Sequence, residues 1–290
     1  MKTTRTGNFP IGFRLPGSPW AKDMPATAAW AAANGFGVID LRNDAPTTAP
    51  MATAAGVNIG TADLIDFRAL IHADGDTRRA NVTKVADHIA ACAAVGTRMM
   101  FCVMLPADPA LKRRDNFSYM MDSLSELAPT LDRLNVKLAI EGWPGPGALC
   151  CTPETVRACF QAAPTKNIGY NYDPSHLIRM GIDPIRFLEE FAERVYHVHG
   201  KDTELLPENV YEFGTEQPPT FGKPRGWGSI TWRYTIPGHG VFRWTRAFEI
   251  LQSRGYSGAV CIELEDENFN GTEAGEKNGL LIAANFLAGC

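Results

Sequence analysis

Residues 259–267 read AVCIELEDE, an apolar run that ends in carboxylates at Glu263, Glu265, Asp266 and Glu267. Side chains alternate across a strand, so Glu263 and Glu265 share a side and aim negative charge at whatever lies above the strand's C-terminal end. Three other β-type runs finish in a similar way. Residues 138–141 (LAIE) end in Glu141, residues 171–176 (NYDPSH) carry Asp173 and His176, and residues 196–202 (YHVHGKD) carry His197 and His199. One acidic residue at a strand end is ordinarily a helix cap or a surface charge. Four consecutive strands ending in metal-ligand residue types need another explanation.

Outward from these runs, strands are expected at 11–14, 37–41, 57–62, 98–105, 136–141, 168–173, 195–199 and 259–263. Helical patterns separate them at 25–33, 79–95, 119–134, 153–163, 184–193, 242–254 and 274–287. Thr152-Pro153-Glu154 is an N-cap followed by proline at the first helical position, and Asp183-Pro184 repeats the device. Strands alternating with helices imply parallel βαβ units, and eight right-handed units can close into a (β/α)8 TIM barrel. The rival, a doubly wound open sheet, lacks its usual GxGxxG after the first strand. The α/β barrel is therefore expected as one domain over residues 1–290. Residues 203–241, rich in Pro, Gly and Trp, form an insertion after the seventh strand. It is far longer than the usual 2 to 6 residues and follows the barrel face where active sites form, so a substrate-covering lid is expected.

Composition narrows the partners. The chain is 45% hydrophobic and 21% charged, as in ordinary globular proteins, and its net charge of -4 provides no basic footprint for nucleic acid. A small-molecule substrate is expected. Seven cysteines, an odd set without CxxC spacing, read as small core residues in a reducing compartment. Neither a signal-peptide core nor an apolar run of membrane-spanning length is present, which leads to a cytoplasmic, non-membrane expectation.

In a barrel the strand ends converge on one mouth, so Glu141, Asp173, His199 and Glu263 would meet around a common point. Three carboxylates there repel one another unless a cation neutralises them. An oxygen-rich set with one imidazole suits a divalent metal, Mn²⁺ foremost, with Mg²⁺, Co²⁺ or Zn²⁺ as alternatives; without thiolates it is not a structural zinc site. Alternation places His197 and His199 on one side of the strand. His199, nearer the C-terminal end, is taken as the ligand, and His197 as a ring that orients it or as a hydrogen-bonded core histidine. His176 is read as a substrate or second-metal contact, or a cap of the turn after Pro174. Beyond the strand end, Glu265 and Asp266 are expected to face solvent or cap the next turn.

The succession LAIE, NYDPSH, HVHGKD and CIELED resembles the sugar phosphate isomerase/epimerase superfamily, the xylose-isomerase-like barrels that include ketose 3-epimerases, inosose dehydratases and the endonuclease IV group. The likeness covers residues 138–266, while the first four strands agree only in rhythm. It implies metal ligands at Glu141, Asp173, His199 and Glu263, an acid/base pair in the two glutamates, and substrate contact at His176. The insertion, with KDTE, a tryptophan-rich loop and a PGxG turn, is similar to a branch in which some relatives process 3-oxo-glycosides.

The expected activity is a metal-dependent sugar isomerase or epimerase that abstracts a proton α to the carbonyl of a keto-sugar through a metal-bound enediolate. β-Elimination from a 3-oxo-glycoside by a lyase shares that first step and is the alternative. Lys201, Arg233 and His239 are candidate substrate contacts, although Lys201 can instead pair with Asp202 and Arg233 can solvate its loop. Trp143 is a candidate sugar-stacking residue or a core side chain. An endonuclease IV-like nuclease would need more early histidines than His72 and His88, and a non-catalytic sugar-binding protein would leave a charged cluster without purpose. A homo-oligomer is expected, with a second type of subunit left open.

Overall fold

In the computed structural model, which describes residues 1–290, the first half runs β1 (Ile11–Arg14), α1 (Met24–Ala33), β2 (Val38–Leu41), α2 (Ala45–Ala54), β3 (Asn58–Asp63), α3 (Gly75–Ala94), β4 (Met99–Val103), α4 (Arg113–Leu134) and β5 (Lys137–Glu141). The second half continues with α5 (Pro153–Ala162), β6 (Ile168–Tyr172), α6 (Pro174–Arg179), α7 (Pro184–Phe191), β7 (Val195–Gly200), β8 (Asp202–Leu205), α8 (Pro207–Phe213), β9 (Trp232–Thr235), α9 (Trp244–Ser253), β10 (Val260–Ile262) and α10 (Glu273–Ala288). Strands β1 to β7 and β10 pair in parallel into a closed barrel, with β10 lying between β7 and β1. This is the expected (β/α)8 barrel. Strands β8 and β9 stand apart as an antiparallel pair.

Strand alternation explains the two layers. Ile11, Phe13, Ile39, Leu41, Leu138, Ile140, Val260 and Ile262 join helix residues in one large apolar core between barrel and helices. Their neighbours of opposite parity turn into the bore, where Val38, Ala259 and Cys261 form a small separate cluster. Above it the bore becomes polar, with Asp40, Asn171, His197 and His199 all buried.

Some elements differ from the sequence expectation. Prolines 46 and 50 argue against a helix at Ala45–Ala54, yet α2 forms, with Pro46 in its first turn, where an N–H has no helical partner anyway. Helix α3 begins earlier than its apolar periodicity suggests because the Asp74 side chain accepts the Thr77 N–H at 2.7 Å and caps a polar first turn. Inside the insertion, β8 and β9 pair from Asp202↔Thr235 to Leu205↔Trp232. Asp202 pins both ends of the insertion: Oδ1 accepts from the N–H of Thr203 (2.8 Å) and of Phe242 (3.0 Å), and Oδ2 from Trp244 Nε1 (3.1 Å). All seven cysteines are buried and unpaired. No helix is long and apolar enough to cross a membrane.

Candidate metal and active centre

The ends of β5, β6, β7 and β10 deliver polar side chains to the mouth. Glu141 closes β5; its Oε2 accepts from Asn171 Nδ2 at 2.8 Å and lies 2.6 Å from His199 Nδ1. Asp173 caps α6, with Oδ1 accepting from the N–H (2.8 Å) and Oγ (2.6 Å) of Ser175, which leaves Oδ2 directed into the centre. Glu263 follows β10 and sits 3.5 Å from His199 Nδ1 through Oε2. The four residues predicted as ligands are thus neighbours. His176 is equally close: its Nε2 lies 3.3 Å from Glu141 Oε1 and 3.4 Å from Asp173 Oδ2. Glu141, Asp173, His176 and Glu263 each place a donor atom within 4.8 Å of the others.

Whether these residues fit a metal can be judged from unsatisfied atoms. Asp173 Oδ2 and both ring nitrogens of His199 are buried without an aligned hydrogen bond, even though His199 Nδ1 lies 2.6 Å from Glu141. Buried polar atoms are nearly always paired, so Asp173 Oδ2 and His199 Nδ1, which face the carboxylates of the mouth, suit a cation, whereas His199 Nε2 faces Asp40 in the bore. The donor set can hold a divalent metal, and its oxygen-rich composition favours the harder ions.

Two basic side chains already counter part of the charge. Lys201 is fully buried and does not pair with Asp202; its Nζ lies 2.5 Å from Glu263 Oε2, 2.9 Å from Glu265 Oε2 and 3.3 Å from Asp173 Oδ2. Arg14 at the end of β1 places Nε 3.1 Å from Glu263 Oε1 and grips Asp63 with both terminal nitrogens. Burial pushes the Glu263 carboxyl up, but Lys201 and His199 outweigh it and hold the group well below the usual carboxylate range. For Glu141, burial and Glu263 push upward, while His199 and His176 prevail and lower it. Lys201, opposed by burial, is carried well above its ordinary value by Asp173, Glu263 and Glu265.

Deeper in the bore, Asp40 Oδ2 lies 2.8 Å from His197 Nε2 and 3.5 Å from His199 Nε2, and Oδ1 accepts the Thr61 N–H at 2.8 Å. His197 is therefore a paired histidine beneath the mouth. Glycine at position 60 leaves the room, since a Cβ there would stand 2.1 Å from Asp40 Oδ1.

The remaining candidates occupy varied surroundings. Arg233 is held by Glu204 (2.6 Å) and Asp266 (3.1 Å), a structural tie rather than a free guanidinium. His239 is exposed and packs on Phe269 with ring centroids 6.0 Å apart. Trp143 is half-buried against Leu105, Ala148 and Cys151. Asp266 caps its turn through Asn268 N–H at 3.0 Å, as expected, whereas Glu265 turns back to Lys201 instead of facing solvent. Sequence reasoning missed Arg14, Asp40, Asp63 and Tyr234. Arg14 ends β1 and Asp40 stands one residue before the end of β2, both on the bore side like Glu141, which was a usable signal; Tyr234 lies in the insertion and gave none. A cavity of about 610 Å³ opens beside the cluster, lined among others by Arg14, Arg42, Glu263, Glu265 and, from the insertion, Trp227.

Residues 28–288 match the family model described as xylose isomerase-like TIM barrel. Among curated relatives, the uncharacterised protein YfiH of Bacillus subtilis is 32% identical over 132 residues, 45% of this chain and 40% of that protein. Inosose dehydratase of Geobacillus thermodenitrificans is 25% identical over 153 residues, 53% of this chain and 48% of the enzyme. The matches thus span less than half the length of these relatives. Of solved structures, a D-psicose 3-epimerase from Clostridium cellulolyticum superposes with a TM-score of 0.69 at 13% identity, covering 100% of both chains. The 3-keto-D-glucoside 4-epimerase of E. coli reaches 0.68 at 13% identity over 96% of this chain and 99% of the other. At that identity the superpositions establish the fold, and the family match over most of the chain establishes kinship: the chain belongs to the xylose isomerase-like TIM barrel family.

Proposed function

We propose that the protein is a divalent-metal-dependent enzyme that abstracts a proton α to the carbonyl of a keto-sugar, as an epimerase or isomerase. The observation that carries this reading is the placement of Glu141 and Glu263 at 2.6 and 3.5 Å from His199 Nδ1, with Asp173 and His176 in the same cluster as the two glutamates. Glu141, Asp173, His199 and Glu263 would hold a divalent cation, which would supply Lewis-acid charge for the enediolate oxygen of the sugar. Glu263, open to the cavity, removes the α-proton, and Glu141 returns one from the opposite face. Arg14 and Lys201 keep Glu263 ionised and fixed in direction. The buried bore beneath the centre excludes bulk water from that side.

The second reading, β-elimination from a 3-oxo-glycoside, draws support from the cavity, which continues from Glu263 to the half-exposed Trp227 and leaves space for an aglycone. Incubation of Mn²⁺-loaded protein in D₂O with a panel of ketoses and 3-oxo-glucosides tests both. Deuterium beside the carbonyl with the skeleton retained supports epimerisation or isomerisation; a released aglycone supports elimination. Glu263→Gln should slow α-proton exchange by about 10² or more. Exchange left near normal in Glu263→Gln but abolished in Glu265→Gln would move the base to Glu265.

A further inference from the structure

The insertion does more than approach the mouth: its second strand, β9, places Tyr234 against the active centre. Tyr234 is buried, and its hydroxyl lies 2.7 Å from His176 Nδ1. Arg179, one turn further along α6, donates from Nη1 to the same hydroxyl at 2.6 Å. The position is rigid on every side. Thr203 of β8, paired with Tyr234 in the hairpin, donates its Oγ1–H to the Ser175 carbonyl at 3.0 Å, fastening the hairpin to α6. Lys201 Nζ stands 4.5 Å from the Tyr234 ring centroid, and Trp232 covers another side of the ring at 4.9 Å between centroids.

Donor and acceptor inventories then fix the direction of these bonds. A guanidinium has donors only, so the Arg179 contact uses a lone pair of the phenol oxygen. The phenolic proton is left to donate, and His176 Nδ1 is the acceptor within reach. An imidazole that accepts at Nδ1 carries its proton at Nε2, and here Nε2 faces two carboxylate oxygens, Glu141 Oε1 at 3.3 Å and Asp173 Oδ2 at 3.4 Å. A lone pair at Nε2 would be repelled by both; an N–H is attracted. The two ends of the ring thus agree on one tautomer.

We infer that Tyr234, supplied by the insertion, is a positioning residue that holds His176 with its proton on Nε2, so that His176 serves as a hydrogen-bond donor in the catalytic centre and not as a metal ligand. The inference builds on the proposed metal-dependent chemistry for its consequence but not for its geometry. His176 then donates to Glu141 or Asp173 in the resting centre and to a substrate oxygen brought between them. His199 would then be the imidazole that holds the metal.

The test uses full-length protein labelled with ¹⁵N-histidine, with the His176 signals identified by their absence in His176→Asn. Long-range ¹H–¹⁵N spectra, recorded metal-free and with diamagnetic Mg²⁺, should show His176 Nδ1 unprotonated and Nε2 protonated in both states. In Tyr234→Phe, which keeps the ring that covers Lys201 and packs on Trp232, the tautomers should mix. In that variant kcat for α-proton exchange should fall about tenfold or more, while metal Kd changes by less than about threefold, against the 10- to 100-fold expected if His176 were an oriented ligand. A proton on Nδ1 in the wild-type protein overturns the inference, as does loss of metal affinity in Tyr234→Phe comparable to that of His199→Ala. An unchanged tautomer in Tyr234→Phe does so too. If the tautomer is as stated but no keto-sugar exchanges its proton, the functional reading fails and the positioning role of Tyr234 stands.

Discussion

Asp40 shows how one residue far from the substrate face supports the centre. It is fully buried, and burial alone would push its carboxyl up; His197, hydrogen-bonded at 2.8 Å, and the nearby His199 ring reverse that and lower it. Removing one partner of a buried hydrogen bond leaves the other desolvated and unsatisfied. Asp40→Ala is therefore expected to lower unfolding free energy by about 1–3 kcal/mol in urea titrations. A loss below about 1 kcal/mol would mean that the bore admits water to His197. The residues at this scale were unevenly legible in sequence. Glu141, Asp173 and His199 each end an apolar strand, so alternation and depth located them. Arg14 ends β1 and Asp40 precedes the last residue of β2, but their partners, Glu263 and His197, are far away in sequence, and no local pattern links such pairs.

The insertion is the element where sequence and structure diverge most. Its length and position after the seventh strand were legible, whereas the hairpin was not, because β8 and β9 are separated by a helix and a long loop and carry no turn signature. The insertion has two parts with separable roles: the hairpin buries Tyr234 at the centre, and the tip supplies Trp227 to the cavity wall. Replacing residues 207–229 with a short Gly/Ser linker keeps both hairpin strands. Metal affinity should then stay within a few-fold while kcat/KM falls or the substrate range widens. Loss of metal binding would show that the tip, too, supports the centre. The tip is tied down by Glu267, which accepts from Arg225 Nε and from the Gly226 N–H, both at 2.7 Å. The Arg225 hydrogen bond lowers the Glu267 carboxyl, with Gly226 adding to it. Its folded pKa thus lies below the unfolded value of about 4.3, so the tie is stabilising above that pH and is lost as pH falls through the folded value. Pepsin cleavage within residues 220–228 should accelerate on acidification below about pH 4 more in the wild type than in Glu267→Gln, which lacks the titrating group. Equal acceleration in the two proteins would assign the acid response elsewhere.

For the molecule as a whole, the alternation of apolar runs with capped helices made the barrel legible, since eight parallel units have few ways to close. Closure itself was not written in any local segment: β1 pairs with β10 through Ile11↔Val260 and Phe13↔Ile262, joining strands that lie near opposite ends of the sequence. At the top of that seam Arg14 Nε meets Glu263 Oε1 at 3.1 Å. Most other strand pairs join neighbours in the sequence, so the seam closes the longest loop and is expected to be the last pairing to form. On refolding from urea, helical signal in far-UV circular dichroism should return before α-proton exchange does, and Arg14→Lys, which keeps the charge but not the forked geometry, should widen the delay. Simultaneous recovery of both signals would place seam closure early. Because the proposed base is held from across the last join to be made, an unfinished barrel is an inactive one, and the onset of turnover becomes a clock that marks the moment the ring is complete.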